Sequence, residues 1–321
     1  MLPLTFVFLS VLPLFFSEAS SVSSRMRLRR AGSKAKNNTG SAAVPQNGQW
    51  NFFDQKDPTH GLVKYLDVDT AKSDNLAFVL GNSMVLRVRI SSKVTYNAGS
   101  LFIADFAAMP ASCGAWPAWW TVGPSWPNGG EIDVLEGVYQ VNTNKMTLHT
   151  SEGCIVNLSQ KMTTGKEDST SCASSNGDNQ GCGVSDADPA TYGAGFNQAG
   201  GGVYAHSWTN DAIAIWHFAR KDVPADITSN EPDPTKWGTP AGLFSAGSGC
   251  DFSEHFHDHV LTIDTTLCGD WAGGKGTMTH ETCPSIIPQG TTMTCADVVR
   301  NPQNFDDARW NINSIEVYQL Q

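Results

Sequence analysis

Short apolar stretches separated by clusters of Gly, Pro, Asn and Asp recur along the chain, and few windows sustain a helical period. Leu86-Arg87-Val88-Arg89-Ile90 alternates apolar and charged positions, and Leu101 to Phe106 and Ile312 to Tyr318 are similarly short and strand-like. Each predicts a strand, because successive side chains of a strand point to opposite faces of its sheet. Ile213-Ala214-Ile215-Trp216-His217-Phe218 is apolar on both parities, which predicts a strand covered on both faces. Many short strands joined by glycine-rich turns predict an all-β fold, a β-sandwich or barrel. The stretch from Ser169 to Gly202, rich in Ser, Gly, Asn and Asp, predicts long surface loops that shape a binding face.

No run of Pro, Ser or charge after Trp50 is long enough to separate two folded units, so 50–321 reads as one domain. Before it, Leu2 to Phe16 is an apolar run broken by Pro3 and Pro13 and followed by Ser17-Glu18-Ala19. That layout predicts a signal peptide over 1–19. The run is shorter than the roughly 20 apolar residues of a spanning helix, so a membrane anchor fits less well. Residues 20–49, with the basic cluster Arg25-Met26-Arg27-Leu28-Arg29-Arg30, read as a disordered linker or as a pro-segment cut after Arg30.

Export changes the meaning of other features. Eight cysteines become candidates for up to four disulfides, with Cys172 and Cys182 placed to close a local loop. Asn37-Asn38-Thr39 and Asn157-Leu158-Ser159 become glycosylation sequons. A net charge of -10 argues against nucleic acid or an anionic membrane as partner, since both require a concentrated positive field. A neutral substrate fits better. Nothing in the sequence calls for a cofactor, no metal is assigned, and a monomer is the default expectation.

The sharpest chemistry lies in Glu131-Ile132-Asp133-Val134-Leu135-Glu136. On a regular strand Glu131 and Asp133 share a face and Glu136 takes the other. One bulged residue between Asp133 and Glu136 would bring all three acids to one surface, with Ile132, Val134 and Leu135 turned to the core. Two carboxyl groups about 5 to 5.5 Å apart are what retaining glycoside hydrolysis needs. Glu131 would serve as nucleophile and Glu136 as acid/base, with Asp133 between them supplying a like charge and a hydrogen bond. The bare pattern is short enough to arise by chance on a solvated strand face. Trp116, Trp119, Trp120 and Trp126 lie just upstream, and so many aromatics in a short stretch cannot all easily be core, which leaves faces for sugar rings to stack on.

From about Trp50 to Tyr318 the chain resembles the fungal laminarinase-like branch of glycoside hydrolase family 16. The resemblance is carried by Trp116-Pro117-Ala118-Trp119-Trp120-Thr121-Val122-Gly123, Trp126-Pro127-Asn128-Gly129-Gly130 before the acids, and Leu148-His149-Thr150. Gly200 to Ala205, Cys268-Gly269-Asp270-Trp271-Ala272-Gly273 and Trp310 to Ile315 extend it in order. It implies a β-jelly-roll sandwich with a concave substrate cleft, acting on internal β-1,3 or mixed β-1,3/1,4 linkages of glucans. By the same analogy Glu131, Asp133 and Glu136 are catalytic, His149 hydrogen-bonds beside them, and Trp120, Trp126, Asn128, Asp270 and Trp271 bind sugar.

Two departures from the family, a shortened region from Ala71 to Ser83 and Trp119 in place of Phe, are expected near the cleft or its rim and to bear on chain-length preference. His255, His257 and His259 would share a face on a strand as metal ligands, but the resemblance places them in a turn or short helix. Three functions stay open: a secreted retaining endo-β-glucanase, a cell-wall transglycosylase using the same covalent intermediate, and a non-catalytic β-glucan-binding protein. The presence of all three acids counts against the last.

Overall fold

The computed structural model describes residues 24–27, 30–31, 41–44, 49–158, 162–175, 178–247, 249–274 and 277–320. The expected leader, the Asn37 sequon and Ser159 of the second sequon lie outside the described residues.

Two antiparallel sheets carry the fold. One runs in the order Lys166–Ser169, Cys182–Ser185, Lys145–His149, Glu131–Glu136, Ala115–Val122, Val260–Leu267, Ile90–Ser92 and Trp50–Phe52. The other runs Gly242–Ser245, Ala212–Ala219, Gly202–Trp208, Ser100–Ala108, Trp310–Leu320, Ser83–Leu86 and Ala77–Leu80. Side chains from both sheets, among them Phe102, Phe106, Trp119, Ile132, Val134, Leu135 and Trp310, form one buried core. This is a β-sandwich closed by apolar packing between its layers. The expected strands at 101–106, 213–218 and 312–318 are present inside longer ones. Residues 212–219 are covered on both sides: Ile213 and Ile215 face the main core, while Ala214 and Trp216 pack under Trp237 on the outer face.

Four expectations are corrected. Leu86 to Ile90 is not one strand: the Ser83–Leu86 strand ends in one sheet, the Ile90–Ser92 strand begins in the other, and 87–89 carries the chain between them. Ser169 to Gly202 is not all loop, because Cys182–Ser185 pairs with Lys145–His149 and widens the acid-bearing sheet, and Gly193–Gln198 is a helix. Trp119 is fully buried between the sheets rather than at the cleft. Residues 77–80 and 83–86 form the edge of the sheet opposite the acids. Within the segment read as a linker, Ser24–Arg27 pairs with Ser41–Val44, and Arg30–Ala31 pairs with Gln319 and Leu320. The Trp310–Leu320 strand meets Ser83–Leu86 only through residue 312, so its far end has an open backbone edge to offer.

All eight cysteines are paired, as Cys113–Cys283, Cys154–Cys250, Cys172–Cys182 and Cys268–Cys295. The first and last fasten a segment with its own small core, built from Met278, Ile287, Val298 and Phe305, to the ends of two central strands.

Candidate active site

The Glu131–Glu136 strand lies between Ala115–Val122 and Lys145–His149. Glu131 sits opposite Val122 and His149, and Asp133 opposite Trp120 and Thr147. The register then slips on both sides, so that Leu135 faces Trp119 and Glu136 faces Ala118 and Lys145. Val134 is the extra residue of a bulge. Ile132, Val134 and Leu135 are fully buried in the core, so the three acids share the opposite surface, as the parity argument required. Gly130, with φ of 79°, turns the chain into this strand, and a Cβ there would fall on the His255 carbonyl oxygen.

The acids crowd one another. Burial raises the Glu131 carboxyl well above its ordinary range and the neighbouring Asp133 charge adds to this. Asp133 is raised by burial and then by Glu136. Burial also raises Glu136, opposed by a hydrogen bond from Trp116. Three carboxyls so placed cannot all ionise at once, and the cluster retains a proton where isolated acids would have lost theirs. His149 is buried beside them, with Nε2 3.4 Å from Asp133 Oδ2 and Nδ1 2.9 Å from Ser174 Oγ. Ligand atoms of Glu131, Asp133 and His149 lie within 4.8 Å of one another, the one group among the described residues with spacing suited to a cation. The site therefore offers acid, base and nucleophile on one face.

Aromatic and polar side chains surround the acids. Trp116 Nε1 donates to Glu136 Oε1 at 2.7 Å, and the Trp271 ring meets Trp116 edge-on with centroids 5.7 Å apart. Trp120 is half-buried and donates to Asp264 Oδ1 at 3.3 Å. Arg89 lies over the rings of Phe53 and Trp120 and pairs with Asp264 at 3.3 Å. Trp126 is exposed, with its ring centroid 6.5 Å from that of His149. Asn128 is exposed on the turn that follows. Asp270 stands on the short helix Gly269–Ala272 with Trp271 and meets His60 Nδ1 at 2.9 Å.

Glu131, Asp133, Glu136 and His149 are thus brought together; Trp120 and Trp126 adjoin them, and Trp271 reaches Glu136 through Trp116. Asn128 and Asp270 are exposed rather than packed on the acids. Sequence reasoning missed Arg89, Asp264, His60 and Lys145, the last with its Nζ over the Trp271 ring. Trp116, which binds Glu136, enters the sequence reading only as a member of the tryptophan cluster. The three histidines near 257 part company: His255 ends the helix Phe252–His255, His257 lies at the surface beside Asp258, and His259 is buried between Thr121 Oγ1 and Gly129 O, each at 2.8 Å.

A family model described as the XgeA-like, catalytic GH16 domain matches residues 50–318. The chain is 42% identical over 289 residues to a protein of Aspergillus fumigatus named "Probable endo-1,3(4)-beta-glucanase". That match covers 84% of this chain and 43% of the relative, so the chain spans under half of that relative's length. Laminarinase 16A of Phanerochaete chrysosporium, solved with β-glucans in its donor and acceptor sites, superposes with a TM-score of 0.77. Identity there is 36%, with 84% of this chain and 95% of that one covered. An elongating family 16 β-1,3-glucosyltransferase superposes with a TM-score of 0.74 at 37% identity, covering 83% and 94% of the two chains.

Proposed function

The chain belongs to glycoside hydrolase family 16, and on that premise we propose that it is a retaining endo-β-glucanase acting on internal β-1,3 or mixed β-1,3/1,4 linkages of glucans such as laminarin. The observation that carries this reading is the bulge at Val134, which leaves Glu131, Asp133 and Glu136 on one surface. Glu131 attacks the anomeric carbon while Glu136 gives its proton to the departing glycosidic oxygen, forming a glycosyl-enzyme and a shortened chain. Glu136 then takes a proton from water, whose oxygen displaces Glu131. Glu131 must be ionised to attack and Glu136 must carry a proton, so the reactive form is the one in which the proton shared among the acids lies on Glu136, against the neighbouring charges that raise Glu131. Asp133, between the two and braced by His149, orients Glu131 and takes part in proton sharing. The rings of Trp120, Trp126 and Trp271 offer stacking faces for glucose units, with Asn128 and Asp270 as polar partners at the rim.

Action outside the cell is part of the proposal, supported by the pairing of all eight cysteines. A second reading has its own support: the glucosyltransferase neighbour is as similar to this chain as the laminarinase. The same glycosyl-enzyme intercepted by a sugar hydroxyl would lengthen glucan chains.

The test is to incubate the chain and its Glu131→Ser variant with laminarin and with barley mixed-linkage glucan, resolving products by size over time. Short oligosaccharides from the wild type and none from the variant are expected. Products longer than the supplied chains would move the reading to transglycosylation. Intact polymers with retained glucan binding would overturn the enzymatic reading for these substrates.

A further inference from the structure

A bulge leaves main-chain groups without their ladder partners, and buried groups of this kind need others. Beside Val134 two of them, the Val134 carbonyl and the Glu136 N–H, meet a single side chain. Asn144 Nδ2 donates to Val134 O at 2.7 Å, and the Glu136 N–H donates to Asn144 Oδ1 at 2.9 Å. The two partners fix the amide orientation, since a swapped amide would set donor on donor and oxygen on oxygen. Asn144 is fully buried and immediately precedes the Lys145–His149 strand. Its own main chain is held twice, by Thr191 Oγ1, which accepts from its N–H at 3.0 Å, and by the Asp186 N–H, which donates to its carbonyl at 2.8 Å. One primary amide thus does for the bulge what a peptide group does for a regular ladder, and it does so at the residue whose direction the bulge decides.

We propose that Asn144 is a positioning residue for Glu136, locking the bulge so that this carboxyl stays on the same surface as Glu131. The inference rests on the reading of Glu136 as the group that protonates the leaving oxygen. A side chain acting through Glu136 matters most where the leaving group needs a proton and least where it does not. An Asn that only shored up the loop would weaken both alike.

The full chain and its Asn144→Ala variant are compared on laminarin and on 2,4-dinitrophenyl β-laminaribioside, whose phenolate departs without a proton. On laminarin kcat is expected to fall about a hundredfold in the variant with KM little changed. The burst of dinitrophenolate should stay within about threefold of the wild type, because glycosyl-enzyme formation there needs no general acid. Azide, which attacks the glycosyl-enzyme without a general base, should restore turnover. Equal losses on the two substrates, or no loss on laminarin, would overturn the inference. If the alanine variant lacks a cooperative melting transition, Asn144→Asp carries the test. Protonated, its carboxyl reproduces both hydrogen bonds; ionised, it keeps one. Its laminarin kcat relative to wild type must then climb as pH falls, and a ratio independent of pH would overturn the inference equally. Glu136→Gln is run alongside: if it fails to split the two substrates, the role given to Glu136 is wrong, and the role of Asn144 falls with it.

Discussion

Trp116 Nε1 reaches Glu136 Oε1 at 2.7 Å, and a donor on a carboxylate favours its ionised form. Burial pulls the other way, so the acidity of Glu136 is a balance in which this one indole is a named weight. Trp116→Phe keeps the aromatic volume beside Trp271 and removes the donor. Because the lost bond stabilised the charged form, Glu136 should hold its proton to higher pH, and the alkaline limb of kcat/KM should move upward by about one unit. A pH profile on laminarin checks this. An unmoved limb would mean that the limb reports a group other than Glu136.

At the scale of strands and turns, the sequence was most legible where periodicity and chemistry agreed. The parity of Glu131, Asp133 and Glu136 demanded a bulge, and one is there at Val134. What holds it was not legible, because Asn144 is fixed by Val134 and Glu136 of the bulged strand and by Asp186 and Thr191 far downstream, and nothing local marks it. Leu86 to Ile90 misled through its alternation. Val88 is buried and Arg89 turns to Asp264, a pattern that suits a strand as well as a chain crossing between two layers. Trp119 misled through its company: of the four tryptophans near the acids it alone is wholly in the core. Trp119→Phe should therefore leave the lengths of laminarin products unchanged. It should cost no more than about 1–2 kcal/mol, since the lost volume is partly offset by deleting a buried N–H with no protein partner. Denaturant unfolding and product sizing together test this, and a changed product length would return Trp119 to the cleft.

Over the whole molecule, buried titratable groups set how stability answers to pH. His206 stacks on Phe102 with centroids 4.3 Å apart, neither ring nitrogen has a partner among the described residues, and burial lowers it to about 3. Burial likewise lowers His217 and His259 to about 4. These groups titrate at lower pH folded than unfolded. Their contribution is complete above the ordinary histidine range and is lost as pH falls toward 3 or 4, at about 1.4 kcal/mol per unit for each. Asp264 opposes them: raised by burial to about 6, it makes stability decline as pH climbs from about 4 to 6. Glu131, Asp133, Glu136 and Asp186, raised by burial as well, act in the same sense as Asp264, so the net slope is the difference between the histidine and carboxyl contributions. His206→Phe should spare about 3 kcal/mol of the loss between pH 7 and pH 4, read as a smaller drop in urea midpoint than in the wild type. Parallel curves for the two proteins would remove His206 from the account.

The segment tied by Cys113–Cys283 and Cys268–Cys295 gives this molecule a division of labour. The acids stand on a strand kept in place by hydrophobic packing between two sheets, whereas Trp271 stands next to Cys268 at the start of a segment with a separate core of its own. The segment is fastened twice over, by sulfur and by packing of its core on Ala115 and Leu267 at the ends of the central strands. It is a fitting on a fixed frame, and a change in how it sits would reach the acids by one route, from Trp271 through Trp116 to Glu136.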